Sequence, residues 1–190
     1  MRAILYELNE VPWRVLDYYA DRHPGSAFAR LRTEAACFTT VTSDQGELHP
    51  WSTWPTLHRG VDNTEHQITF INQELETDHP PIWEFLAEQG VSTGVFGSLQ
   101  SYGSFPADPD RYAFYVPDTF APDERTHPDR YQPFQRFNLM MTARDGAQAK
   151  PGVPIDATVG RDGLRMVRRG LRPRTLARLG RHLVREMRDR

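Results

Sequence analysis

Residues 81–96 read PIWEFLAEQGVSTGVF, and this stretch decides the fold class. Apolar side chains at helical spacing follow the proline, so residues 82–86 predict a helix with one apolar face. Gly90 supplies the stop signal at the end of that helix. Residues 91–96 then read as a short buried strand. A helix that leads directly into a strand favours an α/β fold, with a mostly parallel sheet flanked by helices.

The same reasoning extends outward along the chain. Short apolar runs predict further strands, and Pro, Ser or Thr before periodic apolar residues predicts helices. The strands are expected at residues 3–8, 36–41 and 114–116, and the helices after Pro12, after Ser26 and from Thr53 to Gly60.

Size and composition indicate one globular domain. The 190 residues suffice for a single hydrophobic core, although only 38% of them are hydrophobic and the mean hydropathy is −0.63. Fifteen prolines and thirteen glycines indicate many loops. We expect residues 1–142 to form the α/β body, 143–163 a loop or linker, and 164–190 an Arg-rich helical tail.

The charge is unevenly distributed. Residues 161–190 hold eleven Arg against three acidic residues, a net charge of +8, although the whole chain carries −2. Such a tail either binds an anionic partner or presents a solvated helix face. Because no aromatic residues are interleaved for base stacking, the solvated face is favoured and a nucleic-acid partner is not expected.

The single cysteine, Cys37, excludes an internal disulfide and fits a reducing compartment. Its place in a predicted strand favours a buried structural thiol. The apolar run before Glu7 is too short for a signal peptide, and no segment reaches the length of a membrane span. We therefore expect a cytoplasmic protein without a membrane partner.

Two sets of side chains carry the candidate chemistry. Thr53 is predicted near a helix amino terminus, where unpaired N–H groups and the helix dipole favour phosphate, so its hydroxyl could act as a nucleophile. The alternative is that Thr53 or Ser52 caps the helix. Asn9 and Glu10 end the first predicted strand with oxygen groups suited to a divalent metal. The alternative there is a helix cap at Asn9 beside an exposed Glu10. The histidines lack metal-site spacing, so each is expected to be a surface or capping residue.

The order of several segments resembles the alkaline phosphatase superfamily, in its type I phosphodiesterase/nucleotide pyrophosphatase branch. Residues 8–17 (LNEVPWRVLD) look like the family's first strand end and its Trp-bearing helix, and residues 28–31 resemble the helix that follows. Thr53-Trp54-Pro55 resembles the Thr-x-Pro context of the family's nucleophile. Residues 59–60 and 63–66 resemble the turn that comes next.

Residues 81–86 and 90–96 resemble the family's later Pro-x-Ile-Trp helix and Gly-Val strand. The resemblance thus covers residues 3–97. It implies an alkaline-phosphatase-like α/β fold with Thr53 as nucleophile, forming a phosphothreonine intermediate. It also implies two divalent metals, zinc or alternatively manganese, held in part by Asn9 and Thr53, with Glu10 or Glu7 expected to supply the missing negative charge at Asn9.

Three departures from the family pattern qualify that implication. Asn9 stands where the family has an anionic ligand, and the interval from Thr53 to Gly60 is shorter than usual. Nothing after residue 100 matches the family's later Asp and His ligands. We therefore expect an N-terminal or truncated form of the fold, whose remaining ligands come from missing C-terminal sequence, and little or no turnover by this chain alone.

The sequence consequently predicts a metal-dependent phosphoric ester hydrolase that acts on a small phosphate ester. The alternative is a degenerate, non-catalytic relative that serves as a binding module. A sulfatase-type hydrolase ranks last, because neither Cys37 nor Ser52 has the Cys/Ser-x-Pro-x-Arg context that such enzymes need.

Overall fold

The computed structural model describes residues 2–71, 73, 78–142 and 157–188. The chain divides into two units, Met1–Ser43 and Asp44–Arg190. The α/β class predicted from residues 81–96 is confirmed, since the described residues contain eight α-helices and two parallel strands. No larger sheet is formed by these residues, so the alkaline-phosphatase-like arrangement stays a prediction.

The first unit contains two helices, α1 (Trp13–Arg22) and α2 (Ala27–Glu34). Both were predicted, and the side chain of Ser26 caps α2 by accepting the Ala29 amide at 3.2 Å. Arg32 of α2 joins the helices, because its Nε donates to Asp17 Oδ1 at 2.8 Å.

The two strands predicted in the first unit are not formed. Residues 3–8 and 36–41 have no regular structure, and Ile4 and Val41 are 90% and 93% exposed. An isolated extended segment leaves its backbone groups unpaired, so an apolar run becomes a strand only where a neighbouring strand is present. Cys37 is likewise exposed, so its prediction as a buried thiol is wrong.

The core of the second unit lies where one helix packs on the small sheet. Helix α5 (Ile82–Glu88) leads into β1 (Thr93–Phe96), which pairs in parallel with β2 (Tyr112–Val116). Gly90 adopts φ +73°, which lets the backbone reverse after α5. The buried side chains of this core are Trp83, Ala87, Val95, Tyr112 and Tyr115.

Gly94 of β1 is required by a close approach. A Cβ atom at this position would overlap the ring of Phe114 on the neighbouring strand, and the register of the two strands shifts between Thr93 and Gly94. The Phe114 ring therefore occupies the space over β1 that any larger residue would need.

The remaining helices are α3 (Pro50–Arg59), α4 (Asn63–His66), α6 (Gln132–Thr142), α7 (Ala157–Arg168) and α8 (Pro173–Arg188). Short 3-10 turns lie at Tyr102–Ser104, Pro109–Arg111 and Asp129–Tyr131.

The carboxyl-terminal part of the chain differs from the predicted linker and tail. Residues 143–156 lie outside the described residues, but residues 157–163 belong to α7 rather than to a loop. The predicted helical tail is present as α7 and α8, with the expected break near Gly170, whose φ is +107°. An ion-pair network anchors α7: Arg136 of α6 donates to Asp162 at 2.8 and 3.2 Å and to Glu124 at 2.8 Å.

Candidate functional site

Helix α3 carries the predicted nucleophile, but it begins three residues earlier than predicted. Pro50 occupies its first position, which suits a residue that has no N–H to leave unpaired, and His49 is the N-cap. Thr53 therefore lies inside the first turn. The alternative that Ser52 or Thr53 caps the helix is wrong. Gly60 ends α3 in the left-handed conformation at φ +71°.

The hydroxyl of Thr53 is half-buried and donates to the carbonyl oxygen of His49 at 3.1 Å. Such a bond from residue i to residue i−4 is a common local arrangement for Thr in helices. It occupies the hydroxyl proton, whereas the two lone pairs of the oxygen stay available. The amides of Ser52 and Thr53 both donate to the same carbonyl oxygen at 3.0 Å. Because Pro50 has no N–H, this helix start offers fewer free donors to a phosphate than most.

A partly buried hydrogen-bond network lies one turn further along α3. The Thr56 hydroxyl is 2.6 Å from Asp44 Oδ1, and His66 Nε2 is 2.9 Å from the same hydroxyl oxygen. The backbone amide of Ile68 donates to His66 Nδ1 at 2.9 Å. Because Nδ1 accepts, the imidazole proton must lie on Nε2. The hydrogen bonds then run in one direction, from His66 through Thr56 to the Asp44 carboxylate.

Burial sets the electrostatics of this network. His66 is 1% exposed, and its pKa is lowered chiefly by that burial, with a smaller contribution from the positive charge of Arg59. Asp44 and Asp62 act in the opposite direction and are outweighed. The neutral imidazole that the hydrogen bonds require is thus also the form that the surroundings favour.

Asn63 at the start of α4 ties the loop before α3 to the same network. Its backbone amide donates to Asp44 Oδ1 at 2.9 Å. Its side chain exchanges two hydrogen bonds with the backbone of Gln45, at 2.8 and 2.9 Å. Residues 44–46, α3 and α4 therefore form one braced substructure, in which Thr53 and Thr56 share a helix face because they are three residues apart.

A second pair of polar side chains lies at the carboxyl end of β1. Ser98 Oγ is 3.2 Å from Nε2 of His58, which is 3% exposed and packs between the rings of Trp54 and Trp83. Gly97 turns the chain there at φ +65°. The carboxyl edge of a parallel sheet is where open α/β sheets place their ligands. In this chain the pair joins α3 to that edge.

Asp118 lies at the corresponding end of β2. It is 1% exposed, and burial raises the pKa of its carboxyl group, although hydrogen bonds from backbone amides oppose the rise. Its Oδ1 accepts the Phe120 amide at 2.7 Å. The backbone amide of Asp118 donates to Ser101 Oγ at 3.0 Å, and this bond ties Asp118 to the loop that follows β1.

The predicted metal ligands fall in different units. Asn9 and Glu10 form an exposed turn of the first unit, with Glu10 at φ +55°, whereas Thr53 belongs to the second unit. Of the predicted donors only Glu10 is anionic, and zinc normally takes about four ligands. The part of the chain that the structure describes contains no group of three or more His, Cys, Asp or Glu that could hold a metal ion. The described donors therefore do not make a complete metal site.

Two histidines were misjudged by sequence reasoning. His58 and His66 were expected to be surface or capping residues, yet both are buried and bonded to hydroxyl groups. His66 lies in residues 63–66, which resemble a turn of the family pattern. This resemblance was the one sequence signal that His66 has a role beyond the surface. The pairing of Ser98 with His58, forty residues apart, has no signature in the sequence.

None of the helices in the described segments is long and apolar enough to cross a lipid bilayer. Comparison with known proteins adds no relatives: no protein-family model, curated protein or solved structure matches the chain.

Proposed function

We propose that this chain carries the nucleophile-bearing part of a metal-dependent phosphoric ester hydrolase, with Thr53 as the attacking residue. The observation that carries the proposal is the substructure of residues 44–46, α3 and α4. It holds Thr53 on the same helix face as Thr56, whose hydroxyl is bonded to Asp44 and His66. A nucleophile needs a rigid support of this kind, because a small misplacement costs much of the rate.

Helix α3 also carries a cation. Arg59 is half-buried, and burial lowers the pKa of its guanidinium, which still stays cationic at neutral pH. The guanidinium donates to the carbonyl oxygen of His79. Because Arg59 lies six residues after Thr53, the two side chains leave α3 about 120° apart, so we assign Thr53 to attack and give Arg59 no contact with the substrate.

The proposed step involves residues of this chain alone. The Thr53 Oγ1 forms a bond to phosphorus, the bond from phosphorus to the leaving oxygen breaks, and the hydroxyl proton passes to solvent. The departing alkoxide or phenolate carries away the electron pair. Divalent metals would increase the electrophilicity of the phosphorus centre. Because the described donors are incomplete, we assign no residue of this chain to metal binding.

The test is covalent trapping with bis(4-nitrophenyl) phosphate, because the intermediate accumulates when it forms faster than water hydrolyses it. With added zinc or manganese we expect about one nitrophenolate per chain. Peptide mass spectrometry should then locate a nitrophenyl-phosphoryl adduct on Thr53. The adduct should be absent with EDTA and in Thr53→Ala, and present in Thr53→Ser.

Thr33→Ala is the matched control, because Thr33 makes the same kind of bond to the carbonyl of Ala29, at 3.3 Å, in α2. This variant should form the adduct normally. Failure of the wild-type chain to form any adduct, or an adduct that persists in Thr53→Ala, would overturn the proposal.

A second candidate function is a non-catalytic binding module. The hydrogen bonds among Asp44, Thr56 and His66 favour it, because they use side-chain groups that catalysis would need. Native mass spectrometry with zinc separates the two candidates. Metal retained by the wild-type chain supports the hydrolase, whereas the absence of both metal and adduct favours the binding module.

We further propose that the protein acts in the cytoplasm. Cys37 is exposed, and a reducing compartment keeps such a thiol unoxidised. Thiol titration of protein purified from cells under alkylating conditions should find Cys37 fully alkylated. A disulfide-linked species in the same sample would contradict this location.

A further inference from the structure

The cations of α7, α8 and the turn between them follow a repeated spacing. Arginines recur at positions i, i+4, i+7 and i+11, and the whole pattern returns thirteen residues later. The two copies are Arg161, Arg165, Arg168 and Arg172, followed by Arg174, Arg178, Arg181 and Arg185.

The second copy lies entirely within α8. At 3.6 residues per turn its four arginines fall within an arc of about 60° and extend along about 17 Å of the helix. All four side chains are exposed. In α7, Arg161, Arg165 and Arg168 have the same spacing and are also exposed. We call these two rows the arginine stripes.

The charge of the stripes is not neutralised by neighbours in sequence. Residues 161–185 contain nine arginines and a single acidic residue, Asp162. The Asp162 side chain is 5% exposed and is bound by Arg136 and Arg165. Its carboxylate is therefore used to anchor α7 to α6. The net charge of this segment is +8, and all nine arginines are exposed, although Arg165 also binds Asp162 and Arg169 donates to the carbonyl oxygen of Arg130.

We propose that the arginine stripes bind the sugar–phosphate backbone of double-stranded nucleic acid without sequence preference. A guanidinium pairs with a phosphate through two parallel hydrogen bonds, and every cation in the segment is an arginine. Duplex DNA carries one charge per about 1.7 Å of axis, so a stripe of about 17 Å faces about ten phosphate charges.

The absence of aromatic residues favours a duplex over a single strand. Residues 157–188 contain no Phe, Tyr or Trp. Single strands are held largely by bases that stack on aromatic rings. That requirement does not apply to a duplex backbone. The expectation that this chain has no nucleic-acid partner rested on the lack of aromatic residues for base stacking. Contacts between arginines and phosphates do not require aromatic residues.

The test measures the salt dependence of binding by fluorescence anisotropy, with the full chain and a labelled duplex of random sequence. Between about 50 and about 200 mM NaCl, the slope of log K against log salt should approach −3.6 for four phosphate contacts and about −7 for eight. In R174Q/R178Q/R181Q/R185Q the slope should become less steep by up to about 3.6 units. A second duplex of unrelated sequence should bind equally.

Two control variants distinguish the effect of the arginine stripe in α8 from the effect of the net charge of the chain. R2Q/R14Q/R22Q/R30Q removes the same charge from exposed arginines of the first unit, and we expect its slope to stay unchanged. R174K/R178K/R181K/R185K keeps the charge and should keep the slope while it lowers the affinity several-fold. Circular dichroism checks that each variant retains its helices.

Three results would overturn the proposal. The first is an equal loss of binding in the two glutamine variants, which would show an effect of net charge alone. The second is binding that does not weaken with salt, or no binding at all. The third is tighter binding to phosphatidylserine vesicles or to a single strand than to the duplex.

Discussion

The Nε2 of His66 lies 2.9 Å from the Oγ1 of Thr56, and the Ile68 amide donates to the opposite ring nitrogen at 2.9 Å. The two contacts require a neutral imidazole with its proton on Nε2. Protonation would place a hydrogen on Nδ1, where the Ile68 amide already donates. The hydrogen bond between His66 of α4 and Thr56 of α3 is therefore described by the neutral form of one buried side chain.

The first prediction concerns acid stability. The pKa of His66 is lowered in the folded chain, mainly by burial, so the unfolded chain takes up the proton more readily. The stability contributed by neutral His66 is present above the ordinary histidine pKa of about 6.5 and is lost as pH falls through the lower folded value. Urea unfolding followed by circular dichroism between about pH 7.5 and 5 should show this loss.

His66→Asn should remove that pH dependence, because asparagine does not titrate but still offers an oxygen to the Ile68 amide. His23→Asn is the control, since His23 is exposed at the end of α1. It should leave the acid-dependent loss intact. An unchanged loss in His66→Asn would assign the effect to another group.

The second prediction concerns Thr56. Thr56→Val preserves the shape of the side chain but removes the hydroxyl between His66 and Asp44, which leaves a buried imidazole N–H and a carboxylate with fewer partners. We expect a loss of about 2 kcal/mol in the free energy of unfolding. Thr33→Val removes an exposed hydroxyl from α2 and should cost less than about 0.5 kcal/mol. Equal losses in chemical denaturation would show that the network adds nothing to stability.

The third prediction compares two ion pairs. Asp162 has a 5% exposed side chain and binds Arg136, whose guanidinium holds the pKa of that carboxyl group below its usual range. Asp162→Asn should lower the free energy of unfolding by about 2 kcal/mol, because Arg136 loses its principal charged partner. Asp17→Asn breaks the pair with Arg32, in which both side chains are solvent-exposed, and should cost much less than Asp162→Asn.

The ion pair between Asp162 and Arg136 also predicts how the free energy of unfolding changes in acid. A depressed folded pKa means that the stability from Asp162 is present above the unfolded aspartate value of about 3.9 and is lost as pH falls through the folded value. The stabilities of the wild-type chain and of Asp162→Asn should therefore begin to converge as pH falls below about 4, and should converge fully only below the folded pKa of Asp162. Curves that stay parallel well below that pH would contradict the role given to Asp162.

Elements with their own start and stop signals were predictable from the sequence. Ser26 caps α2, Gly90 ends the turn after α5, and residues 114–116 belong to β2 as expected. These signals act within a few residues, so the sequence contains all the information that they need. The start of α3 was missed because Pro50 was not taken as the first helical residue, although proline favours that position.

Features that depend on distant partners were not predictable. Residues 3–8 have the composition of a strand, but composition does not supply the neighbouring strand that completes a ladder. Thr56, Asp44 and His66 meet because Gly60 turns the chain between α3 and α4, so their contact is a property of the folded substructure. Single-residue reasoning consequently placed His66 on the surface, and only the order of segments around it hinted otherwise.

The fourth prediction concerns the sheet. Gly94→Ala places a methyl group where the Phe114 ring lies, and the ring can leave only by exposing itself or by spreading the two strands. We expect a loss of about 1–3 kcal/mol in the free energy of unfolding, measured by urea denaturation. Gly180→Ala in α8 meets no atom within 4 Å and should instead stabilise the helix by up to about 1 kcal/mol. Opposite signs for the same substitution would show that packing against Phe114, rather than the loss of glycine as such, controls the stability of the sheet. A neutral Gly94→Ala would mean that Phe114 moves aside without cost and that the contact between β1 and β2 does not depend on it.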